Sequence, residues 1–188
     1  MTVEHLLMKP RRGAPMEPRN RVDLHPQRGI VGGVPAPPLR QVLLLSLTDF
    51  RAFRLQPGDF RENVVVDFDD LNGLPSGTEL RIGTARIRLT FHCEPCSQVA
   101  RFGRPSELLH RRGYLGCVTA KGRITVGDTI QVLGHHFPEI PYRVTDRLAW
   151  YLGQRSGDIE AMALLWEIGL SRSYARALPS LLSKLPAA

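Results

Sequence analysis

Of all the residues in this chain, Cys93, Cys96 and Cys117 have the side chains and spacing best suited to chemistry. Two of them form the C-x-x-C of Cys93-Glu94-Pro95-Cys96, which serves either as half a zinc site or as a dithiol redox pair. No second C-x-x-C follows, nor a histidine pair at finger spacing, so a structural zinc ion lacks its remaining ligands. Thioredoxin-type chemistry wants the motif between a strand and a helix of a βαβ unit, whereas the flanking residues read as β-hairpins. What remains is Cys96, a thiol placed where a strand ends. Pro95 cannot donate to a ladder, and Ser97-Gln98 can open a turn, which exposes the sulfur beside backbone donors. A thiolate so placed is a soft metal ligand or a nucleophile that carries sulfur. The competing reading is a small buried hydrophobe, the commonest fate of an unpaired cysteine.

Other candidates surround it. Histidine as a residue type titrates near neutral pH, so His92 and His110 invite proton transfer, but a surface role for His92 fits equally well. Cys93 reads as packing and Cys117, in mid-strand, as core. Only three of the 25 cations are lysine, namely Lys9, Lys121 and Lys184. Arginine's planar fork suits phosphate and carboxylate, so an anionic ligand is one reading of the +7 net charge and a compositional bias is the other.

The elements that must position these residues change character along the chain. Residues 1–140 read as short strands broken by Gly and Pro, and residues 141–188 as helices with apolar side chains at three- and four-residue spacing. Residues 79–82 and 85–91 flank Gly83-Thr84, a two-residue link suited to a type II′ hairpin. Alternation puts Ile87, Leu89 and Phe91 on one face. Residues 114–120 and 123–126 repeat the hairpin logic around Lys121-Gly122, and residues 3–8, 41–46, 62–68 and 128–133 supply further strands. Many short strands favour a closed or nearly closed barrel over an open sheet. Thr48-Asp49 can cap a short helix, and residues 105–111 form another. Three helices follow, over 141–153, 158–168 and 171–185, with Leu148, Trp150, Leu152, Met162, Leu165, Trp166, Tyr174 and Leu178 expected to form a small core.

With 188 residues, 43% hydrophobic and 23% charged, the chain has the makings of one ordinary globular domain with an appendage. No run approaches the ~18 apolar residues of a membrane span, and residues 1–12 lack the pattern of a signal peptide. A cytoplasmic location with reduced thiols is expected, with no membrane association.

The runs Arg61-Glu62-Asn63-Val64-Val65-Val66, Leu74-Pro75-Ser76-Gly77-Thr78-Glu79-Leu80-Arg81-Ile82-Gly83, Pro95-Cys96, Arg112-Gly113-Tyr114-Leu115-Gly116-Cys117-Val118 and Gly122-Arg123-Ile124-Thr125-Val126-Gly127-Asp128 together resemble the MOSC domain. That family is named after the C-terminal part of molybdenum-cofactor sulfurases. Arg40 to Ser46 fits the strand before these runs, and the likeness covers about residues 1–135. Tyr142-Arg143-Val144, Leu164-Leu165 and Leu170-Ser171 are similar to the three-helix unit behind some bacterial members. One departure is visible: Gly29-Ile30-Val31-Gly32-Gly33-Val34 stands where members commonly end a glycine loop in Gly-Asp and a basic residue.

The resemblance implies a mainly β fold, with a MOSC-type β-barrel over residues 1–140 and a small three-helix unit over 141–188. It also implies a molybdenum-pterin cofactor, with Cys96 ligating the metal or holding sulfur, and with Arg40, Glu62, Asn63, Arg112 and Gly113 as cofactor contacts. Glu62 and Asn63 read equally well as loop braces. The activity implied is two-electron reduction of a small N-hydroxylated compound, with electrons from a separate flavin or iron–sulfur protein. The alternative is a sulfur carrier bearing a persulfide on Cys96. Pyridoxal phosphate is not expected in this chain, because none of its lysines has a recognisable aldimine setting. A nucleic-acid partner ranks last, since no helix-turn-helix, finger or aromatic RNA-binding motif is present and aromatics are only 7%.

Overall fold

The structure is a computed structural model that describes residues 1–185. Eleven strands are found among the described residues. They are β1 (Thr2–Met8), β2 (Glu17–Arg19), β3 (Arg21–His25), β4 (Gly29–Ile30), β5 (Val42–Ser46), β6 (Val64–Asp67), β7 (Thr78–Ile82), β8 (Ala85–His92), β9 (Tyr114–Ala120), β10 (Gly122–Thr125) and β11 (Ile130–His136). Helices α1 (Leu47–Ala52) and α2 (Pro105–Leu108) lie between strands, and α3 (Val144–Leu152), α4 (Ala161–Glu167) and α5 (Leu178–Leu182) follow them. The main sheet runs β11-β7-β8-β9-β5-β6-β1-β2, and β10-β3-β4 form a second. The chain is mainly β with a few short helices, as expected.

The main sheet curls but is not a closed barrel. Beside β1 the end meets the chain entering β11 through one bridge, Thr2 to Thr129, and bonds such as Val3 N to Asp128 O at 3.0 Å. The remainder of that edge of β1, from Leu6 to Met8, is taken by β2, so no continuous ladder can close the ring. The hairpin at Gly83-Thr84 forms with Ile82 facing Ala85, and Gly83 supplies the positive φ of +57° that such a turn needs. The second expected hairpin does not. After β9 the chain leaves the main sheet, and β10 pairs with β3, where Arg123 meets Asp23 in a salt bridge of 2.7 Å.

Strand β5 is buried throughout, so apolar side chains pack on both of its faces. Val42 and Leu44 join the core inside the curl with Val64, Leu80, Ile87 and Leu89. On the outer face, Leu43 packs with Phe91, Cys93, Leu115 and Ile140, and Leu45 packs with Leu55, Phe60, Val99 and Leu108. Phe91 therefore does not share a core with Ile87 and Leu89. The β8–β9 register shifts between Leu89 and His92, and this bulge turns Phe91 and Cys93 to the outer cluster.

The helices are shorter than the periodicity suggests. Ser46, rather than Thr48 or Asp49, caps α1, its Oγ accepting from the Asp49 amide at 3.1 Å. The segment expected as one helix over 171–185 divides into a 3-10 turn (Arg172–Arg176) and α5, whose Pro179 lacks an amide to donate to the preceding turn. Leu148, Leu165 and Leu178 form an apolar cluster with Leu164, Ile168 and Leu170. Met162, Trp166 and Tyr174 stay exposed, and Trp150 packs instead against the outer cluster of Phe91 and Cys93. No helix among the described residues is long and apolar enough to cross a membrane.

Candidate functional site

Past His92 the chain leaves β8 but stays tied to β9, the Cys93 amide donating to Gly113 O at 2.9 Å. Pro95 then ends the extended run, and Cys96, extended at φ −145°, precedes the 3-10 turn Ser97–Phe102. The two thiols of the C-x-x-C thus part company: Cys96 is exposed, and Cys93 is 2% exposed. Cys93 is packing, as expected, yet it is not in an apolar setting alone. Arg112 Nη1 donates to its sulfur at 3.0 Å and Arg40 Nη2 reaches it at 3.4 Å. Burial pushes the Cys93 thiol up, against the opposing pull of Arg112 and Arg40. Cys117 is half-buried rather than core, and burial raises it too.

Cys96 lies on the wall of a cavity of about 550 Å³. Arg40, Arg61 and Arg112 line it from the sheet side, and Leu170, Ser173 and Tyr174 from the segment after Gly169. A second cavity of about 150 Å³ shares Arg40 and Arg61 and adds Lys9 and Gly33. A third, of about 480 Å³, shares Lys9 and Arg61. Arg61 therefore borders all three. Its φ of +60° puts a non-glycine residue in the left-handed region, a conformation that costs ~1–3 kcal/mol and persists where the surroundings impose it. Burial and then the charge of Arg61 lower the Lys9 ammonium. Neither cation makes a salt bridge among the described residues. Asp59 also lines the third cavity but is paired with Arg101, so two neighbouring cations with no salt bridge of their own, on cavities that share lining residues, favour an anion.

Of the residues singled out in the sequence, Cys96, Arg40 and Arg112 meet at the large cavity. Glu62, Asn63 and Gly113 do not line it. Glu62 is fully buried, its carboxylate accepting from the amides of Gly58 at 2.6 Å and Phe60 at 3.1 Å, so it braces the loop that carries Arg61. Burial pushes its carboxyl up and the backbone donors oppose this. Asn63 bridges two strands, Oδ1 accepting from the Leu43 amide at 3.0 Å and Nδ2 donating to Leu7 O at 3.2 Å, and borders only the smallest cavity. Gly113 is needed for its backbone: at φ +104° a Cβ there would lie 2.4 Å from Leu44 O.

His92 is not a plain surface histidine. Its ring packs between His110, edge to face at 4.7 Å, and Tyr114, tilted at 4.2 Å, and burial followed by the neighbouring His110 lowers it to about 4. Neither histidine lines the cavity.

Three residues of the site escaped the sequence reading: Arg61, Glu94 and Arg147. Glu94 accepts from Arg40 at 2.7 Å and from Arg147 at 2.9 Å. Burial works to raise the Glu94 carboxyl, but Arg40 and Arg147 outweigh it and hold the group below its ordinary value. The signal for Arg147 is an arginine on the apolar stripe of a helix, between Val144 and Leu148.

The model of the MOSC domain matches residues 38–131, half of the chain. Among solved structures the chain is similar to YuaD from Bacillus subtilis, with a TM-score of 0.63 and 19% identity over 73% of this chain and 98% of that one. It is also similar to YiiM from Geobacillus stearothermophilus, with a TM-score of 0.57 and 16% identity over 96% and 98% of the two chains. For YiiM from Escherichia coli the TM-score is 0.54 at 19% identity, over 100% and 96%. At these identities the likeness is one of fold. No curated protein matches the chain.

Proposed function

This chain belongs to the MOSC domain family, and from that premise we propose that it binds a molybdenum-pterin cofactor through Cys96 and reduces N-hydroxylated compounds, with electrons from a separate flavin or iron–sulfur protein. The observation that carries this reading is the exposed Cys96 sulfur on a cavity wall shared with Arg40, Arg61 and Arg112. The donor set suits the cofactor. A thiolate is a soft ligand matched to a thiophilic metal, and guanidinium forks match a phosphate. No group of three or more His, Cys, Asp or Glu able to hold an ion exists among the described residues; in this reading the protein would give the metal one sulfur, that of Cys96.

When bound, the cofactor supplies two-electron chemistry at a metal able to take an oxygen atom. The chain's residues bind and orient. Cys96 would offer its sulfur to the metal. Arg61 and Lys9 would hold the anionic part of the ligand, and Arg112 fixes the cysteine loop by donating to Glu94 O at 2.5 Å. Leu170 and Tyr174 line one side of the cavity.

Metal analysis of protein made in a host that synthesises molybdenum cofactor tests this. About one molybdenum per chain is expected, most of it lost in Cys96→Ser, whose hydroxyl is a harder donor. Wild-type molybdenum content in that variant overturns the assignment. The second reading, a sulfur carrier, is favoured by the same exposure of Cys96: intact mass would then show added sulfur on Cys96, removable by a thiol reductant, in protein without molybdenum.

A further inference from the structure

The helices after Ile140 do more than cover the sheet. Arg147, on α3, is fully buried, its guanidinium 3.6 Å from the centre of the Phe91 ring. Its Nη2 donates to Glu94 Oε1 at 2.9 Å and to Tyr142 O at 3.0 Å. Taking an arginine fully out of water on the apolar stripe of a helix is costly, and a methionine or leucine would fill that space without the penalty. Phe91 supplies a π face, and Glu94 supplies the countercharge.

The other oxygen of Glu94 accepts from Arg40 Nη1 at 2.7 Å, and that same nitrogen reaches Gly169 O at 3.1 Å. Arg40 thus crosses from the sheet side to the segment after α4, and Arg147 crosses from α3 to the cysteine loop. Gly169 permits the crossing, because a Cβ there would lie 2.8 Å from Arg40 Cγ and Cδ. Glu94, held between the two cations, is joined to Cys96 through the single rigid residue Pro95.

We propose that Arg147 is a positioning residue for Cys96: by holding one oxygen of Glu94, whose carboxylate lies on the wall of the same cavity, it fixes and neutralises that carboxylate, so α3 sets both the placement and the local field of the reactive thiol. The proposal rests on the reading of Cys96 as the functional sulfur, but not on any bound cofactor. Without Arg147, the Glu94 carboxylate keeps only Arg40 as countercharge, so it adds negative potential beside Cys96 and repels anionic reactants.

The test is site-resolved alkylation of Cys96 in the full chain, with neutral iodoacetamide and anionic iodoacetate, read by peptide mass spectrometry. The ratio of the two rates reports the field and is insensitive to a uniform change of access. In Arg147→Gln the iodoacetate to iodoacetamide ratio should fall about threefold or more at low salt, because one charge at a cleft shifts the local potential by about kT or more. Arg147→Lys should restore part of it. In the Glu94→Gln background, adding Arg147→Gln should cause no further fall, which marks the effect as coupled through Glu94. An unchanged ratio in folded Arg147→Gln overturns the proposal. Should that variant fail to fold, Glu94→Gln alone decides: its ratio should rise, and no rise overturns the proposal equally. Failure of the molybdenum reading appears elsewhere, in the metal content of Cys96→Ser, and leaves these ratios untouched.

Discussion

Arg112 and Cys93 are joined by a 3.0 Å contact from the guanidinium to a thiol sealed beneath the chain that presents Cys96. The two sulfurs of one C-x-x-C therefore have opposite fates. Cys93 is buried and its thiol raised, so the nucleophilic thiolate is scarce and out of reach. With a small alkylating reagent at near-neutral pH, Cys96 should react to completion while Cys93 and Cys117 remain largely unmodified. Peptide mapping reads the order directly, and modification of Cys93 ahead of Cys96 contradicts it.

The covering of Cys93 suggests a second experiment. Every buried residue of the core inside the curl lies at or before Ile130, so that core is complete without the helices. Tyr142 and Trp150, by contrast, pack over the outer cluster that contains Cys93. A chain ending before Pro141 should keep a β-type circular dichroism spectrum and a cooperative thermal transition at a lower midpoint, with Cys93 now open to alkylation. Loss of the transition shows instead that the two parts fold as one.

What the residues disclose in advance depends on how local the deciding interaction is. The β7–β8 hairpin was legible because Gly83-Thr84 lies between the strands it joins. Strand β10 was misread as the partner of β9 because its true partner, β3, lies about a hundred residues away, and adjacency was the only guide. Alternation placed Phe91 with Leu89, and no residue type announces the bulge that separates them. Cys96, Arg40 and Arg112, which meet at one cavity, could be singled out because Pro95 interrupts the extended run and the linked runs match a family. Arg147 was not, since one charge on an apolar stripe reads as an interruption until Phe91 and Glu94 are seen around it.

The strained backbone at Arg61 separates stability from binding. Glycine adopts φ +60° without the penalty an L side chain carries, so Arg61→Gly should raise unfolding stability by about 1 kcal/mol, net of the extra freedom of the unfolded chain. It also removes the cation shared by all three cavities. Urea unfolding should show the gain, and the same preparation from a cofactor-producing host should retain less molybdenum and pterin than wild type. A variant that is both more stable and fully loaded would show that Arg61 has no part in holding the anion.

The His92 ring, packed between His110 and Tyr114, makes a pH-dependent contribution to stability. Its folded value of about 4 lies below the ordinary value near 6.5, mainly because burial disfavours the charged ring and secondarily because His110 faces it. Between those two values the unfolded chain binds a proton that the folded chain does not. This contribution is therefore fully present above about pH 6.5 and is lost progressively as pH falls towards 4. Because the ring is only half-buried, the loss is on the order of 1–2 kcal/mol rather than the full linkage value. His92→Phe keeps an aromatic ring against Tyr114 and removes the titration. Urea unfolding at pH 7.5 and pH 5 should show a smaller drop in stability for His92→Phe than for wild type, and equal drops would place the pH sensitivity in the carboxylates instead.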